Sequence, residues 1–139
     1  MANADDFLYE YAVVRYVPQV DRQEFINIGL LMMCKRRRWL QGRILLQKER
    51  IRAFDRNVNF DFLGAQSSVF ERNDVPDVEL PVEEKYRWLA AVKSAILQVS
   101  PSHPGYLPVN EGNKEMSKAE AQEMLSAEFN RLFNELVKA

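Results

Sequence analysis

Five polar side chains stand inside or beside apolar, strand-like segments of this sequence: Arg15, Asn27, Gln98, Ser100 and His103. The interior of a strand excludes such groups unless each finds a hydrogen-bonding partner. A histidine ionises near neutral pH and can act as a general acid or base, with a neighbouring serine as nucleophile. An arginine can hold an anion such as phosphate. The pattern therefore predicts a shared polar cluster.

Two interpretations of this cluster follow from the residue types. The candidate catalytic residues are Arg15, Arg87, Ser100 and His103, and the polar cluster is completed by Glu24, Asn27 and Gln98. In the structural alternative the same groups form a buried hydrogen-bond network that fixes strand register. Arg15 would then pair with Glu24 or Glu10, and His103 would brace a proline-rich loop. We favour this alternative, because lone histidines more often have structural roles.

The usual motifs for metal and nucleotide binding are missing from the sequence. One histidine and one cysteine cannot build a zinc tetrahedron. No H-E-x-x-H spacing, Walker loop or Gly-x-Gly-x-x-Gly motif occurs. Ser100 also lacks the flanking glycines of a nucleophile elbow. We therefore expect neither a metal nor a cofactor.

A basic segment interrupts an otherwise acidic chain. Residues 35–56 hold nine basic and two acidic side chains, although the whole chain has a net charge of -1. The predicted basic patch consists of Lys35, Arg36, Arg37, Arg38 and Arg43. Several cations on one phosphate backbone favour nucleic-acid binding, and Trp39 could stack on a base. The alternative is a solvated hairpin tip that protects a strand edge, and the pI of about 5.9 argues against a dedicated nucleic-acid binder.

Length and composition predict one globular domain over residues 1–139. The chain is 47% apolar and 28% charged, which is ordinary for such a domain. Its lone cysteine, Cys34, cannot form an internal disulfide and fits a buried thiol in a reducing cytosol. The beginning of the chain has no basic segment typical of a signal peptide, and the longest apolar run, residues 28–34, is too short to span a bilayer. We therefore expect a cytoplasmic protein without a membrane partner.

The apolar patterning predicts four strands, at residues 9–17, 25–34, 38–46 and 94–100. The first strand carries apolar residues on both of its faces, which is typical of a central strand. Gly29 and Gly42 inside strands indicate a close approach by neighbouring groups. Pro104, Gly105 and Pro108 predict a loop over residues 102–112.

Helices are predicted weakly over residues 48–54 and then over residues 60–70 and 82–88. The last helix is the clearest, because Ser117 and Glu120 fit a capping box before an apolar stripe. We expect Phe60, Phe62, Phe70 and Trp88 in the core. The fold class is α+β: a small, mainly antiparallel sheet of about four strands with helices packed on it and a long C-terminal helix.

Three groups of residues resemble a bacterial family known as domain of unknown function 3037. The matching positions are Tyr9, Tyr11, Arg15, Tyr16 and Pro18, then Glu24, Phe25, Asn27 and Gly29, and finally Arg87, Trp88, Leu89, Ser94, Gln98, Ser100, Pro101, His103 and Gly105. Val92 departs from the family pattern, and the stretch after Gly105 is longer. The resemblance implies a cytoplasmic bacterial protein without an assigned activity. Family members are often encoded near kinase-like proteins that resemble the HipA toxin, which suggests a kinase-like partner.

We therefore expect a small protein-interaction module without intrinsic catalysis. The first alternative is an enzyme or nucleic-acid processing factor that uses the Arg/Ser/His cluster to bind phosphate. The second alternative is nucleic-acid binding through residues 35–56, which would weaken steeply with salt.

Overall fold

The computed structural model describes residues 8–72, 79–91, 94–107 and 117–138. A linker is predicted over residues 73–81 from Pro76 and Pro81, and its residues 73–78 lie outside the described residues. The departure at Val92 and most of the stretch after Gly105, residues 108–116, lie outside them as well. Asp5 and Asp6, which belong to the acidic beginning of the chain, also lie outside them.

Five antiparallel strands form one sheet: β1 (Leu8–Tyr16), β2 (Ile26–Cys34), β3 (Trp39–Ile44), β4 (Leu97–Val99) and β5 (His103–Tyr106). The order is β3-β2-β1-β4, and β5 also pairs with β1. The α+β fold class is therefore confirmed, and so is the central place of the first strand. The fifth strand was not predicted, because it falls where turn-forming residues predicted a loop.

The free side of β1 is covered by β4 and β5 in succession. Tyr16 to Val14 pair with Leu97 to Val99, and Tyr11 to Leu8 pair with His103 to Tyr106. Between these two ladders the register shifts by one residue, so an extra residue is accommodated near Pro101. Pro101 fits at this interruption because proline has no backbone N–H, and no ladder hydrogen bond has to be donated there.

In the described segments four helices pack on the sheet: α1 (Lys48–Phe54), α2 (Phe60–Ser67), α3 (Val82–Ala90) and α4 (Lys118–Phe133). A π-helical turn, Asn134–Lys138, continues α4. The predicted cap of α4 is confirmed: the side chain of Ser117 accepts a hydrogen bond from the Glu120 N–H at 3.1 Å.

Short 3-10 turns complete the chain at Val20–Arg22, between β1 and β2, and at Ser68–Glu71, after α2. The second of these lies against β3. A Cβ atom built on Gly42 would lie 1.8 Å from the carbonyl oxygen of Phe70, so only glycine fits there. Gly29 has a similar role, since its Cβ would lie 2.4 Å from Ile44 Cδ1. The predicted close approach at both glycines is confirmed.

Each face of the sheet carries its own hydrophobic core. On one face, Ala12 and Val14 of β1 pack with Ile51 of α1, Leu63 of α2 and Leu89 of α3. On the other face, the alternate residues of β1 and β2 pack against the apolar stripe of α4, whose buried residues are Leu125, Phe129, Leu132 and Phe133. The molecule is thus three layers, with the sheet in the middle.

Several aromatic side chains differ from the expected burial. Phe70 is fully buried, as predicted, but Phe62 is 50% exposed and Trp88 is 36% exposed, so both predictions of a core position were wrong. Trp39, considered above as a base-stacking residue, is 8% exposed and makes an edge contact with Phe129. Cys34 is buried, as expected.

No helix among residues 8–72, 79–91, 94–107 and 117–138 has the length and apolar character to cross a membrane.

Candidate functional site

Three of the predicted polar residues form a row near one end of the sheet, at the end of β1 and the beginning of β2. Arg15 of β1 is the register partner of Asn27 on β2 and of Gln98 on β4. Cross-strand partners lie on the same face of a sheet. This row lies at a β-bulge, because the pairing of β1 with β2 shifts between Val14 and Arg15. A β-bulge changes the direction of the side chains beside it, so the pairing around Arg15 departs from the otherwise regular ladder of β1 and β2.

Arg15, in the centre of the row, has no anionic partner in the part of the chain that the structure describes. Its guanidinium lies over the ring of Phe25, 4.1 Å from the centroid, within cation-π range. Its Nε atom is buried and forms no hydrogen bond. Among the described residues, no ion pair involves Arg15. A half-buried arginine normally pairs with a carboxylate, since desolvation of its charge is costly.

The two expected partners of Arg15 are engaged elsewhere, so the predicted pairing was wrong. Glu24 forms an exposed ion pair with Arg22, two residues earlier in the same loop. Glu10 accepts a hydrogen bond from the Ser102 hydroxyl at 2.9 Å. The positive charge of Arg15 therefore remains uncompensated by either carboxylate.

The neighbours of Arg15 in the row have backbone partners. The Asn27 side-chain amide donates to the carbonyl of Leu136 at 3.0 Å and so connects β2 to the π-helical turn. Its Oδ1 atom is buried and accepts no hydrogen bond. The Gln98 amide donates to the carbonyl of Ala95 at 2.9 Å. Asn27 and Gln98 therefore support the local backbone on both sides of Arg15.

Ser100 is a structural residue at the junction between β4 and β5. Its hydroxyl oxygen accepts from the Val13 N–H at 2.9 Å, and its hydroxyl donates to the carbonyl of Pro101 at 3.0 Å. Its own N–H donates to the carbonyl of Val13 at 2.9 Å. The side chain is 5% exposed and fully satisfied, so it offers neither access nor a free proton for nucleophilic attack.

His103 begins β5 and is exposed to solvent. Its ring centre lies 5.5 Å from that of Tyr11, its register partner on β1. Tyr11 and Arg15 are four residues apart on one strand, so their Cα atoms are about 13 Å apart. His103 therefore stands well away from Arg15.

Arg87 is exposed on α3 and forms an ion pair with Glu84 at 2.9 Å. Helix α3 packs on the face of the sheet opposite to α4. The row that contains Arg15 lies on the α4 side, because Asn27 contacts Leu136 there. The four candidate catalytic residues thus do not meet in one pocket.

The predicted basic patch is divided by the fold. Lys35, Arg36 and Arg38 are exposed at the turn between β2 and β3, together with the partly buried Arg37. Arg43 does not belong to this turn: it lies on β3 with its guanidinium 5.2 Å from the Phe129 ring and 5.1 Å from the Phe133 ring. It also donates to Asn130 at 3.2 Å. The inclusion of Arg43 in the patch was therefore wrong, because it packs against α4.

A different surface, missed by the sequence reasoning, gathers exposed apolar side chains at one end of the sheet. We call it the apolar end, and it consists of Val20, Phe25, Phe54 and Phe62. Their exposed fractions are 46%, 45%, 36% and 50% in that order. Hydrophobic patches of this kind on a small domain mark sites of interaction.

Three adjoining clefts connect the members of the apolar end. Phe25 and Phe54 line a shallow cleft of about 430 Å³ together with Asn27 and Arg50. Phe54 also lines a second cleft with Pro18 and Gln19. The third cleft, which contains Phe62, shares Pro18 and Gln19 with the second. Phe25, Phe54 and Phe62 therefore lie along connected clefts, and Val20 follows the lining residue Gln19 in the sequence.

Two arginines lie on the same helix as Phe54, and a further arginine, Arg22, lines the second cleft and is paired with Glu24. Arg50 donates to the carbonyl of Val137 at 2.8 Å and to Gln47 at 3.1 Å. Arg52 lies 5.0 Å from the ring centre of Phe60. Neither forms an ion pair within the described part of the chain. In the sequence, Arg50 and Arg52 are visible only as part of the basic segment at residues 35–56, which does not indicate where in the fold each cation lies.

Tyrosine hydroxyls anchor the surrounding loops. Burial, with the hydrogen bond to Asp55 as a second cause, raises the pKa of Tyr16 well above its ordinary value. That hydrogen bond, of 2.6 Å, holds the end of α1 against β1. Burial also raises the pKa of Tyr86 to about 12, and its hydroxyl lies 2.7 Å from that of Ser102. Both tyrosines are neutral structural donors at physiological pH.

No group of three or more histidine, cysteine or carboxylate side chains in the described segments is placed to hold a metal ion.

Comparison with known proteins gave one family. The family model described as "Protein of unknown function (DUF3037)" matches residues 11–118, which is most of the chain. The match confirms the resemblance drawn from the sequence motifs, and it includes Arg15, Phe25 and Phe54. The comparisons with curated proteins and with solved structures returned no match.

Proposed function

We propose that this chain, which belongs to the DUF3037 family of proteins of unknown function, is a non-catalytic protein-interaction module that binds its partner through the apolar end. The observation that carries the proposal is the exposure of Phe25, Phe54 and Phe62 around three adjoining clefts. Aromatic side chains are enriched in protein interfaces, where they supply large contact areas at low entropic cost.

The state of the candidate catalytic residues supports a binding role over a catalytic one. The hydroxyl of Ser100 is fully engaged in hydrogen bonds with the backbone. Arg87 forms an ion pair with Glu84 on the opposite face of the sheet. His103 pairs with Tyr11, about 13 Å along β1 from Arg15. A nucleophile and its base must lie within hydrogen-bonding reach of each other. The enzyme alternative would need these groups to move together, against the register of the sheet.

The turn formed by Lys35, Arg36 and Arg38 is too small to favour nucleic acid as the main partner. Nucleic-acid binders usually neutralise several phosphates with a stripe of cations. Here the remaining cations of residues 35–56 are distributed: Arg43 packs on α4, and Arg50 binds the backbone of the π-helical turn. A protein partner at the apolar end accounts better for the exposed aromatic rings.

We place the protein in the bacterial cytoplasm, with a kinase-like protein as the first partner to test. The buried thiol of Cys34 and the family resemblance support this location. The kinase-like partner is suggested by the gene neighbourhood typical of the family.

A capture experiment with matched variants tests the proposal. The full-length tagged protein, the double variant Phe25→Ser/Phe54→Ser and the control Tyr106→Ser are each used to capture partners from an extract of the native bacterium, with and without nuclease. Tyr106 is a suitable control because it is 51% exposed on β5, away from the apolar end. Circular dichroism melting verifies that all three proteins are folded.

We expect one protein, captured stoichiometrically and resistant to nuclease, that the double variant loses by tenfold or more, in line with two interface anchors of over 1 kcal/mol each. Tyr106→Ser should retain it. Equal capture by the double variant would contradict the proposal, as would recovery of nucleic acid alone or of no macromolecule.

A further inference from the structure

We infer that Arg15 and the cleft between Phe25 and Phe54 form a single subsite, which takes an acidic side chain of the partner together with the apolar side chain next to it. The inference rests on the proposed function and adds the chemistry of the partner segment. Its central observation is that the guanidinium of Arg15 is half-buried and stacked on Phe25 without any anion to neutralise it.

The charge of Arg15 indicates an anionic occupant. Within the described segments, no carboxylate pairs with it, and its buried Nε atom has no acceptor. Its terminal nitrogens form no hydrogen bond within the described segments either, but, unlike Nε, they are not buried. A planar guanidinium with its outer edge open matches the two oxygens of one carboxylate.

Phe25 fixes the orientation of this guanidinium. Stacking at 4.1 Å holds the arginine plane against the aromatic ring and reduces the entropy that a flexible side chain would lose on binding. The same ring lines the cleft that contains Phe54 and Asn27. The Arg15 guanidinium and the apolar cleft are therefore adjacent, because Phe25 contacts the first and lines the second. An acidic residue and an apolar neighbour on one peptide can fill both.

A carboxylate suits the subsite better than a phosphate. Phosphate carries more charge and is usually bound by several cations or by backbone N–H groups at a helix N-terminus. The cation that lines the cleft itself, Arg50, already donates to the carbonyl of Val137 and to Gln47. One open guanidinium beside an aromatic cleft thus favours a single negative charge with an apolar neighbour.

Nuclear magnetic resonance titration of the full-length protein tests this subsite. The probes are the blocked dipeptide acetyl-glutamyl-phenylalanine amide, its glutaminyl analogue, acetyl-glutamyl-alanine amide and inorganic phosphate. The readouts are the Nε–H resonance of Arg15 and the backbone resonances of Phe25 and Phe54. The variants are Arg15→Gln and the control Arg87→Gln, whose arginine lies on the opposite layer.

We expect the glutamyl-phenylalanine probe to shift these resonances saturably, with an affinity about tenfold or more above those of the glutaminyl and alanyl analogues, because charge-assisted hydrogen bonds are the strong ones. Arg15→Gln should abolish the preference for the glutamyl probe, and Arg87→Gln should retain it. Equal affinity for the glutamyl and glutaminyl probes would overturn the inference. Tighter binding of phosphate than of the dipeptide would overturn it as well.

The two proposals fail separately. If the partner captured above still depends on Phe25 and Phe54 while the titration shows no preference for the acidic probe, the interaction module stands and the acidic subsite does not. If capture does not depend on the apolar end, the interaction surface itself is wrong.

Discussion

The guanidinium of Arg15 lies 4.1 Å from the centre of the Phe25 ring, in the middle strand of the sheet, and no carboxylate in the described part of the chain pairs with it. A central strand is the place where an unpaired charge costs most. Stability alone does not account for this residue, and its partly exposed charge agrees with the proposed recognition of an acidic partner. Functional sites commonly retain groups that lower stability in this way.

The first prediction concerns the contribution of Arg15 to stability. Arg15→Met removes a half-buried charge and an unbonded Nε while keeping the length of the side chain. We expect the free energy of unfolding in urea to stay constant or to rise by about 1 kcal/mol, since the lost cation-π contact is offset by removal of the desolvated charge. A loss of more than about 1 kcal/mol would assign Arg15 a structural role instead.

The second prediction concerns Ser100, for which the opposite outcome is expected. Ser100→Ala leaves the Val13 N–H buried without its acceptor. The free energy of unfolding should fall by about 1–3 kcal/mol, the usual cost of an unsatisfied buried donor. Urea denaturation followed by tryptophan fluorescence measures it, and Ser68→Ala is the control, because Ser68 is exposed. Unchanged stability of Ser100→Ala would refute the hydrogen-bonding role.

The third prediction compares two glycines. In Gly42→Ala the new Cβ would lie 1.8 Å from the carbonyl oxygen of Phe70, whereas in Gly64→Ala the nearest atom is Leu46 Cδ1 at 3.9 Å. Gly42→Ala should lower the free energy of unfolding by about 2–3 kcal/mol, because backbone must shift. Gly64→Ala should raise it by about 0.5–1 kcal/mol, because alanine favours the interior of α2. Equal effects of the two changes would contradict the close approach of Phe70 to β3.

The fourth prediction concerns acid stability. Hydrogen bonding to Arg131 is the largest cause that lowers the pKa of Glu128, and a hydrogen bond from Tyr9 acts in the same direction. Because the folded state holds this pKa below its ordinary value of 4.5, the carboxylate stabilises the fold at neutral pH. That contribution is lost as the pH falls below 4.5 and through the folded-state pKa.

Glu128→Gln should therefore be less stable at pH 7 and should lose less stability between pH 5 and pH 3 than the unchanged protein, in urea titrations at each pH. The control is Glu135→Gln, which removes an exposed carboxylate from the same arginine. Exposed ion pairs contribute little to the free energy of unfolding. The loss of stability of Glu135→Gln at low pH should therefore resemble that of the unchanged protein. Parallel curves for Glu128→Gln and the unchanged protein would exclude this role for Glu128.

Most of the fold could be predicted from the sequence, because apolar alternation and helical periodicity are local signals. The strand β5 could not be predicted, since Pro104 and Gly105 are turn formers. It exists because β1 supplies the pairing, and because the Tyr9 ring occupies the space beside Gly105, where a Cβ would lie 2.2 Å from the ring. Such a strand depends on a tertiary contact that no local pattern encodes.

The candidate site was predicted in part. The polar row of Arg15, Asn27 and Gln98 was identified as one cluster, and the register of the sheet brings the three together. The absence of a carboxylate beside Arg15 could not be predicted, because Glu24 turns to Arg22 within its own loop. The exposure of Phe62 could not be predicted either, since periodicity alone does not show which face of a short helix is covered.

The most direct test of the apolar end is photo-crosslinking in living bacteria, with p-benzoyl-phenylalanine in place of Phe54 and, separately, in place of Tyr106. Both positions are exposed, but only Phe54 belongs to the apolar end. The account predicts one discrete protein adduct from position 54, absent from position 106 and lost when Arg15→Gln is added. No adduct from position 54, or the same adduct from both positions, would contradict it.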